Sequence, residues 1–196
     1  MLELYLIRHG ETDRNRQGAY LGWTDVELNQ TGWRQAEALR EKLRSVKADV
    51  IFSSPLRRAL DTAKIINCDR DLEVRPAAAL KERNFGSWED LTFTEIQTKY
   101  PVECQAWLND PDYPITGAER PSQVQGRVDG FLRNLLESSR QGCYIMVSHA
   151  GCIRMMLAVL LGLPPEASWR FTIDHCGIAQ VRINAAGYAS LIRLNG

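Results

Sequence analysis

The chain lacks most of the features that would mark it as a binding scaffold. Charge of one sign is missing: 24 Lys+Arg stand against 24 Asp+Glu, whereas a general nucleic-acid binder shows a basic excess. No nucleic-acid partner is therefore expected, although a local cationic pocket stays compatible with the balance. No run reaches the roughly 18 apolar residues a membrane span requires, so no membrane partner is expected either. The opening MLELYLIRHGET has no basic n-region, and its apolar stretch is too short for a signal peptide. Cysteine is sparse and odd in number, at 68, 104, 143, 152 and 176, with no CxxC pair. That excludes a disulfide scaffold and points to reduced thiols in a cytoplasmic protein. Internal repeats, low-complexity tracts and charge blocks are absent as well.

What is present is ordinary globular composition, 44% hydrophobic and 24% charged over 196 residues. One domain over 1–196 is the expectation, since domains run to about 100–200 residues. A chain of this size buries roughly 70% of its unfolded surface and needs no metal to hold its fold. Asn109–Ser122, NDPDYPITGAERPS, is rich in Pro and turn formers and is flanked by helical patterns. It reads as part of a cap-like excursion around 85–122, not as a linker.

Leu2–Ile7, Val50–Ser53 and Tyr144–Val147 are short apolar runs and read as strands. Trp33, Ala36, Leu39 and Leu43 recur at helical spacing, with Asn29 or Thr31 as cap. Ser54-Pro55 supplies an N-cap and a proline at the first helical position. Thr92–Glu95 is a capping-box pattern. Val124, Val128, Phe131 and Leu135 mark another helix, and an apolar helix follows from Gly151 to Leu161. Ile178–Ile183 and Tyr188–Leu194 read as a hairpin around Asn184–Gly187. Strands alternating with helices predict a three-layer α/β/α sandwich with a mostly parallel central sheet. Ligands in such folds bind outside the carboxyl ends of the strands.

Two of the three histidines stand at such ends. Arg8-His9-Gly10-Glu11-Thr12 closes the first strand with a guanidinium fork, an imidazole and a glycine that lets backbone amides approach an anion. Ser148-His149-Ala150-Gly151 repeats the arrangement at a helix start, where free amides favour anions. Ser53-Ser54-Pro55-Leu56-Arg57-Arg58 puts cations in the first turn of a helix, against the dipole, which an anion in the site would explain. The plain alternative there is a helix salt bridge of Arg58 with Asp61.

At these clusters the sequence resembles the histidine phosphatase superfamily, in the branch that also holds the cofactor-dependent phosphoglycerate mutases. RHGET at 8–12 with Asn15, LGWTDVELNQTGWRQA at 21–36, SSPLRRALDTA at 53–63, LKERNFGSWED at 80–90 and VSHAGCIR at 147–154 match in order along nearly the whole chain. The resemblance implies that His9 takes the phosphoryl group, with Arg8, Asn15, Arg58 and His149 around the phosphate. It implies that Glu82 protonates the leaving oxygen and then activates water, with His149 in the catalytic set. Arg57 aligns one residue off the family arginine and is assigned to the surface. Neither metal nor cofactor is implied; the partner is a small phosphomonoester. An acid at Glu82 would need partial burial, for which Phe85 and Trp88 could supply an apolar wall.

Two departures bear on the substrate pocket. Gly117-Ala118-Glu119-Arg120 stands where relatives often carry Gly-Gly-Glu-Ser, and His175 stands where many carry Asn. Trp88 and Arg120 are thus the candidate specificity residues. FGSWEDLTFTEIQTKYP and WLNDPDYP resemble the α-ribazole phosphatases, which act late in cobalamin assembly, and imply α-ribazole 5′-phosphate as substrate. Trp107 and Tyr113 would stack on its flat base, whereas Arg120 would suit a carboxylate; the flat, uncharged leaving group is the expectation. The alternatives are a phosphoglycerate mutase, whose relatives are longer than the 32 residues here from Trp88 to Glu119 allow, or a broad-specificity sugar or amino-acid phosphate phosphatase. A metal site from His149, Asp174 and His175 lacks ligand spacing. A non-catalytic phospho-ligand module would lack His9, Glu82 or His149.

Overall fold

Alternation along the first strand sets up the layers. In β1 (Leu2–Arg8) the side chains of Leu2, Leu4 and Leu6 enter one hydrophobic cluster and Ile7 enters another, on the opposite face of the sheet. The computed structural model describes residues 1–139 and 141–196. After α1 (Asp13–Arg16) and α2 (Gln30–Lys42) the chain forms β2 (Val50–Ser53), α3 (Arg57–Asn67) and β3 (Val74–Pro76). Then come α4 (Phe93–Lys99), α5 (Pro101–Asn109), α6 (Pro121–Ser138), β4 (Gly142–Ser148), α7 (Ala150–Leu160), β5 (Ile178–Ile183) and β6 (Ala189–Leu194). The sheet order is β3-β2-β4-β1-β5-β6. The first four run parallel, and β5 and β6 are antiparallel additions at one edge.

One face packs under α6 and α7 through Val124, Val128, Leu132, Cys152 and Met156, and the other under α2 and α3 through Ala36, Leu39, Ala59, Ala63 and Ile66. Each fully buried Leu or Ile contributes roughly 1.5–3 kcal/mol to this packing. The result is the three-layer α/β/α arrangement. Asn29 caps α2 by accepting from Gly32 N at 2.8 Å. Trp33 departs from its apolar stripe: it is exposed, and Ala36, Leu39 and Leu43 carry the contact alone. The Thr92/Glu95 capping box opens α4.

The start of α3 differs from the sequence expectation. Its N-cap is Leu56, with no side-chain cap, so Ser54-Pro55 lies in the turn before the helix. Ser54 Oγ accepts from Leu56 N at 3.3 Å and is engaged by His149, which leaves it no cap role. β3 was not read from sequence; it is a short edge strand ending in proline, where the missing N–H costs no ladder bond. A third cluster lies between Gly86 and Pro121. There Trp88, Ile96, Cys104 and Ile115 pack with Tyr20, Phe85 and Trp107, apart from the two sheet clusters.

Candidate active site

The parallel register brings three strand ends side by side. Arg8 pairs with Ser148 and Ser53 with Val147, so β1, β4 and β2 end together. His9 N continues the ladder to Ser148 O at 2.9 Å, and Ser54 N to Val147 O at 2.9 Å. His9 and His149 therefore leave neighbouring strands and meet edge to face, with ring centroids 5.0 Å apart.

His9 Nδ1 lies 2.7 Å from the Gly10 carbonyl. A carbonyl only accepts, so Nδ1 carries the proton and Nε2 keeps a bare lone pair. Gly10 itself has no room for a side chain, since a Cβ would come within 2.5 Å of Gly32 O. Burial first, then the charges of Arg58 and Arg8, hold the His9 imidazole well below its ordinary range. Burial and Arg58 do the same to His149. Both rings are thus neutral at pH 7.

Arg58 is fully buried, and each of its nitrogens has a partner. Its Nε–H points between His9 Nε2 at 3.2 Å and His149 Nδ1 at 3.3 Å. Its terminal nitrogens donate to Thr24 O at 2.8 Å and Gly22 O at 2.6 Å. Burial pushes its guanidinium down to about 10, which leaves it charged at neutral pH. The loop that supplies those carbonyls is itself tied down by Glu89. Its carboxylate accepts from Gly22 N, Trp23 N and Thr24 N at 3.2, 2.8 and 3.2 Å, from Thr24 Oγ at 2.9 Å and from Phe85 N at 2.9 Å. Arg57 instead points outward to Glu27 at 2.9 Å and Asp61 at 3.7 Å, so the helix salt bridge weighed for Arg58 belongs to its neighbour.

His149 Nε2 lies 2.8 Å from Ser54 Oγ. With Arg58 facing Nδ1, this ring donates through Nε2. Arg8 reaches Ile173 O at 2.8 Å through one terminal nitrogen, and its buried Nε has no partner. Asn15 uses its carbonyl oxygen for the Thr12 amide and hydroxyl, at 3.2 and 2.9 Å, and it lines the same cavity. His175 stands behind His9 at 6.0 Å between ring centroids. Burial and the charge of Arg8 bring it down to about 4. Among the described residues no three His, Cys, Asp or Glu side chains come together as a metal site.

Glu82 is 7% exposed. Each of its oxygens accepts one backbone amide, Arg83 N at 2.9 Å and Gly151 N at 2.9 Å, which fixes the plane of the carboxyl group. Gly151 is required there, because a Cβ would stand 2.5 Å from Glu82 Oε1. Arg8, His9, Asn15 and Glu82 all open onto one cavity of about 680 Å³, whose aromatic walls are Tyr20, Phe85, Trp107 and Trp169.

The two candidate specificity residues are not on that wall. Trp88 is fully buried in the third cluster and donates its indole N–H to Glu103 at 2.6 Å. Its short 3-10 turn (Gly86–Trp88) aims it away from the site, and Phe85 alone of the pair faces the cavity. Arg120 is exposed at the start of α6, outside the lining; Pro121 and Ser122 reach the cavity instead. The cations that do line it, beyond Arg8, are Arg83 and Arg154. Neither carries a local sequence signal, nor does Glu89, apart from their places within the matching segments; Ser54 was read only as a helix cap.

Comparison with known proteins adds four findings. The family model described as "Histidine phosphatase superfamily (branch 1)" matches residues 4–195. Adenosylcobalamin/alpha-ribazole phosphatase of Escherichia coli (strain K12) is 34% identical over 195 residues, covering 99% of this chain and 96% of that one. Phosphoserine phosphatase 1 of Hydrogenobacter thermophilus is 32% identical over 184 residues, covering 93% and 87%. Among solved structures, the alpha-ribazole phosphatase of Shigella flexneri superposes with a TM-score of 0.93 at 33% identity, covering 99% of this chain and 96% of that one.

Proposed function

The chain belongs to the histidine phosphatase superfamily and is a phosphoric monoester hydrolase; on that premise we propose that it works without a metal, through a phosphohistidine at His9. The observation that carries this reading is the Nδ1–H bond to the Gly10 carbonyl, which keeps Nε2 unprotonated, its lone pair held only by an Arg58 N–H shared with His149. In the first step the Nε2 lone pair forms a bond to phosphorus and the ester P–O bond breaks. Glu82, protonated, delivers its proton to the leaving oxygen. In the second step Glu82 takes a proton from water, the water oxygen bonds to phosphorus and the P–N bond breaks, releasing phosphate.

Charge on the transferring group spreads over its equatorial oxygens, so the work is positioning and electrostatics. Arg8 and the Asn15 amide supply donors on the cavity, Arg58 supplies its fixed charge behind the two imidazoles, and His149 supplies a further donor once its proton sits on Nδ1. Ser54 tolerates that exchange because its hydroxyl can donate to Nε2 as readily as accept from it. Segment 85–122 acts as a cap, with Phe85 and Trp107 over the leaving group.

The relatives' names carry two substrates. α-Ribazole 5′-phosphate fits the four aromatic walls of the cavity. A phosphorylated amino or hydroxy acid is the second reading, and Arg83 and Arg154 are the observation that favours it. The test of the mechanism is common to both. Hydrolysis of p-nitrophenyl phosphate should survive excess EDTA, and acid-labile, base-stable phosphate should be trapped on the wild type but not on His9→Ala. Activity that EDTA abolishes and Mg²⁺ or Zn²⁺ restores, or near-normal turnover by His9→Ala, would overturn it.

A further inference from the structure

The cavity holds more donors than one phosphoryl group needs. Arg8 Nε, Trp107 Nε1 and Arg154 Nε are all buried without a hydrogen-bond partner, and all three side chains line this cavity. Buried donors are normally satisfied, so three around one space call for acceptors that arrive with a ligand. Arg154 goes furthest. Among the described residues it makes no hydrogen bond or salt bridge. Its guanidinium sits 5.6 Å from the Trp169 ring centroid, which holds it in place without neutralising it. Of the cavity's carboxylates, Glu82 is taken up by the Arg83 and Gly151 amides and Asp110, Asp112 and Glu166 are exposed; none pairs with it.

Arg154 lies one turn along α7 from Gly151, whose amide holds Glu82. Helical side chains lean toward the helix N-terminus, which here is the end where His149 and Glu82 meet. Arg154 also bears on Arg8: after burial, its charge is among the influences that lower the Arg8 guanidinium, with Glu82 opposing. Two guanidiniums thus face one space, and the buried acid there, Glu82, is held by the Arg83 and Gly151 amides and forms an ion pair with neither. A phosphoryl group answers Arg8 and leaves Arg154 over, and an uncharged acceptor would leave that second charge without a counter-ion.

Resting on the hydrolase reading, we propose that Arg154, with the Trp107 indole N–H as a second donor, forms a subsite for a carboxylate on the leaving group. The substrate class is a phosphorylated amino or hydroxy acid whose carboxylate lies a few bonds from the ester oxygen. The sequence placed the second cation at Arg120 and preferred a flat, uncharged leaving group. The cavity wall carries Arg83 and Arg154 instead, and on this proposal the leaving group brings a carboxylate.

The test uses matched pairs that differ at the carboxylate: phosphoserine against phosphoethanolamine, and 3-phosphoglycerate against glycerol 3-phosphate. A charge-assisted contact predicts that wild type favours the carboxylate member by about 10- to 100-fold in kcat/KM. Arg154→Ala should bring that ratio close to one, and Arg154→Lys, which keeps charge but loses the fork, should fall between. The ratio is internal to each protein, so a partly damaged variant still reports it. Calorimetric affinities of the His9→Ala protein for phosphoserine and phosphoethanolamine should show the same preference without turnover. A wild type indifferent within the pairs, or an Arg154→Ala protein that keeps the ratio, would overturn the subsite. Failure of wild type to hydrolyse p-nitrophenyl phosphate would overturn the hydrolase reading instead, and the calorimetric ratio would still judge Arg154.

Discussion

Arg58 and Arg154 both sit near the start of a helix that follows a strand's carboxyl end, yet the two regions around them are built differently. Arg58 has a partner for every nitrogen before any substrate arrives: two imidazole nitrogens and two loop carbonyls. Arg154 rests on an exposed tryptophan and keeps a buried N–H unpaired. The phosphoryl end is preorganised, so it pays no reorganisation when charge develops on the transferring group. The leaving-group end is left for the ligand to complete. The difference teaches where chemistry and selectivity reside: changes at the first end should slow every substrate alike, and changes at the second should alter ratios between substrates.

The largest effect belongs to Glu82. Glu82→Gln keeps the acceptor for one amide but cannot hand over a proton, so turnover of alkyl phosphates should fall by about 10²–10⁴-fold. With p-nitrophenyl phosphate, whose leaving group needs no proton, the phosphoenzyme should still form and accumulate. Rapid quench with radiolabelled substrate measures both. A phosphoenzyme that fails to form from p-nitrophenyl phosphate would place Glu82 in phosphate binding rather than proton transfer.

Next comes the guanidinium itself. Arg58→Lys cannot span the two imidazoles and two carbonyls at once, and kcat/KM should fall by about 10²-fold for all substrates. Arg57→Lys, on the solvent side with Glu27, should change little. The opposite outcome would mean that the helix register bearing these roles is off by one. Glu89→Gln is the milder version of the same lesion. It sets an amide NH₂ against the loop N–H donors that the carboxylate now receives, loosens the carbonyls behind Arg58, and should cost about tenfold in kcat/KM. The phosphoserine-to-phosphoethanolamine ratio should stay at its wild-type value. A ratio that moves with Glu89 would break the division between the two ends.

That division also separates what the sequence disclosed from what it hid. Arg8, His9 and His149 were legible because apolar runs announce strands and parallel sheets place ligands at strand ends. The outward turn of Arg57 followed from the resemblance, in which it aligns one residue off the family arginine. Trp88 was misplaced because a 3-10 turn, not the sequence around it, decides that its ring enters the third cluster and its N–H meets Glu103 fifteen residues on. Arg120 was misplaced because loop geometry sets which residue at the start of α6 reaches the cavity. Arg154 closes the matching segment VSHAGCIR but drew no role from it: one cation on an apolar helix is unremarkable until the cap and the Pro165–Arg170 turn wall off the space beside it.

The smallest effect tests the phosphoryl end through stability. His9, His149 and His175 are all held below the ordinary imidazole value of 6.5, the last at about 4. The unfolded chain therefore binds protons just below pH 6.5 that the folded chain refuses. Stability from this source is complete above 6.5 and is lost as pH falls toward the folded values, at up to about 1.4 kcal/mol per pH unit for each histidine. Thermal melts between pH 6.5 and 5, above the range of most carboxylates, should show Tm falling with pH and level above 6.5. His175→Asn removes one of the three titrating rings without touching the attacking nitrogen, and should flatten that slope by about a third. Arg154 is not among the charges that lower the three imidazoles, so Arg154→Ala should leave the slope as it is. A Tm that holds steady down to pH 5, or a slope unchanged in His175→Asn, would show that the buried imidazoles accept protons without cost, and that the phosphoryl end is less tightly built than its hydrogen bonds indicate.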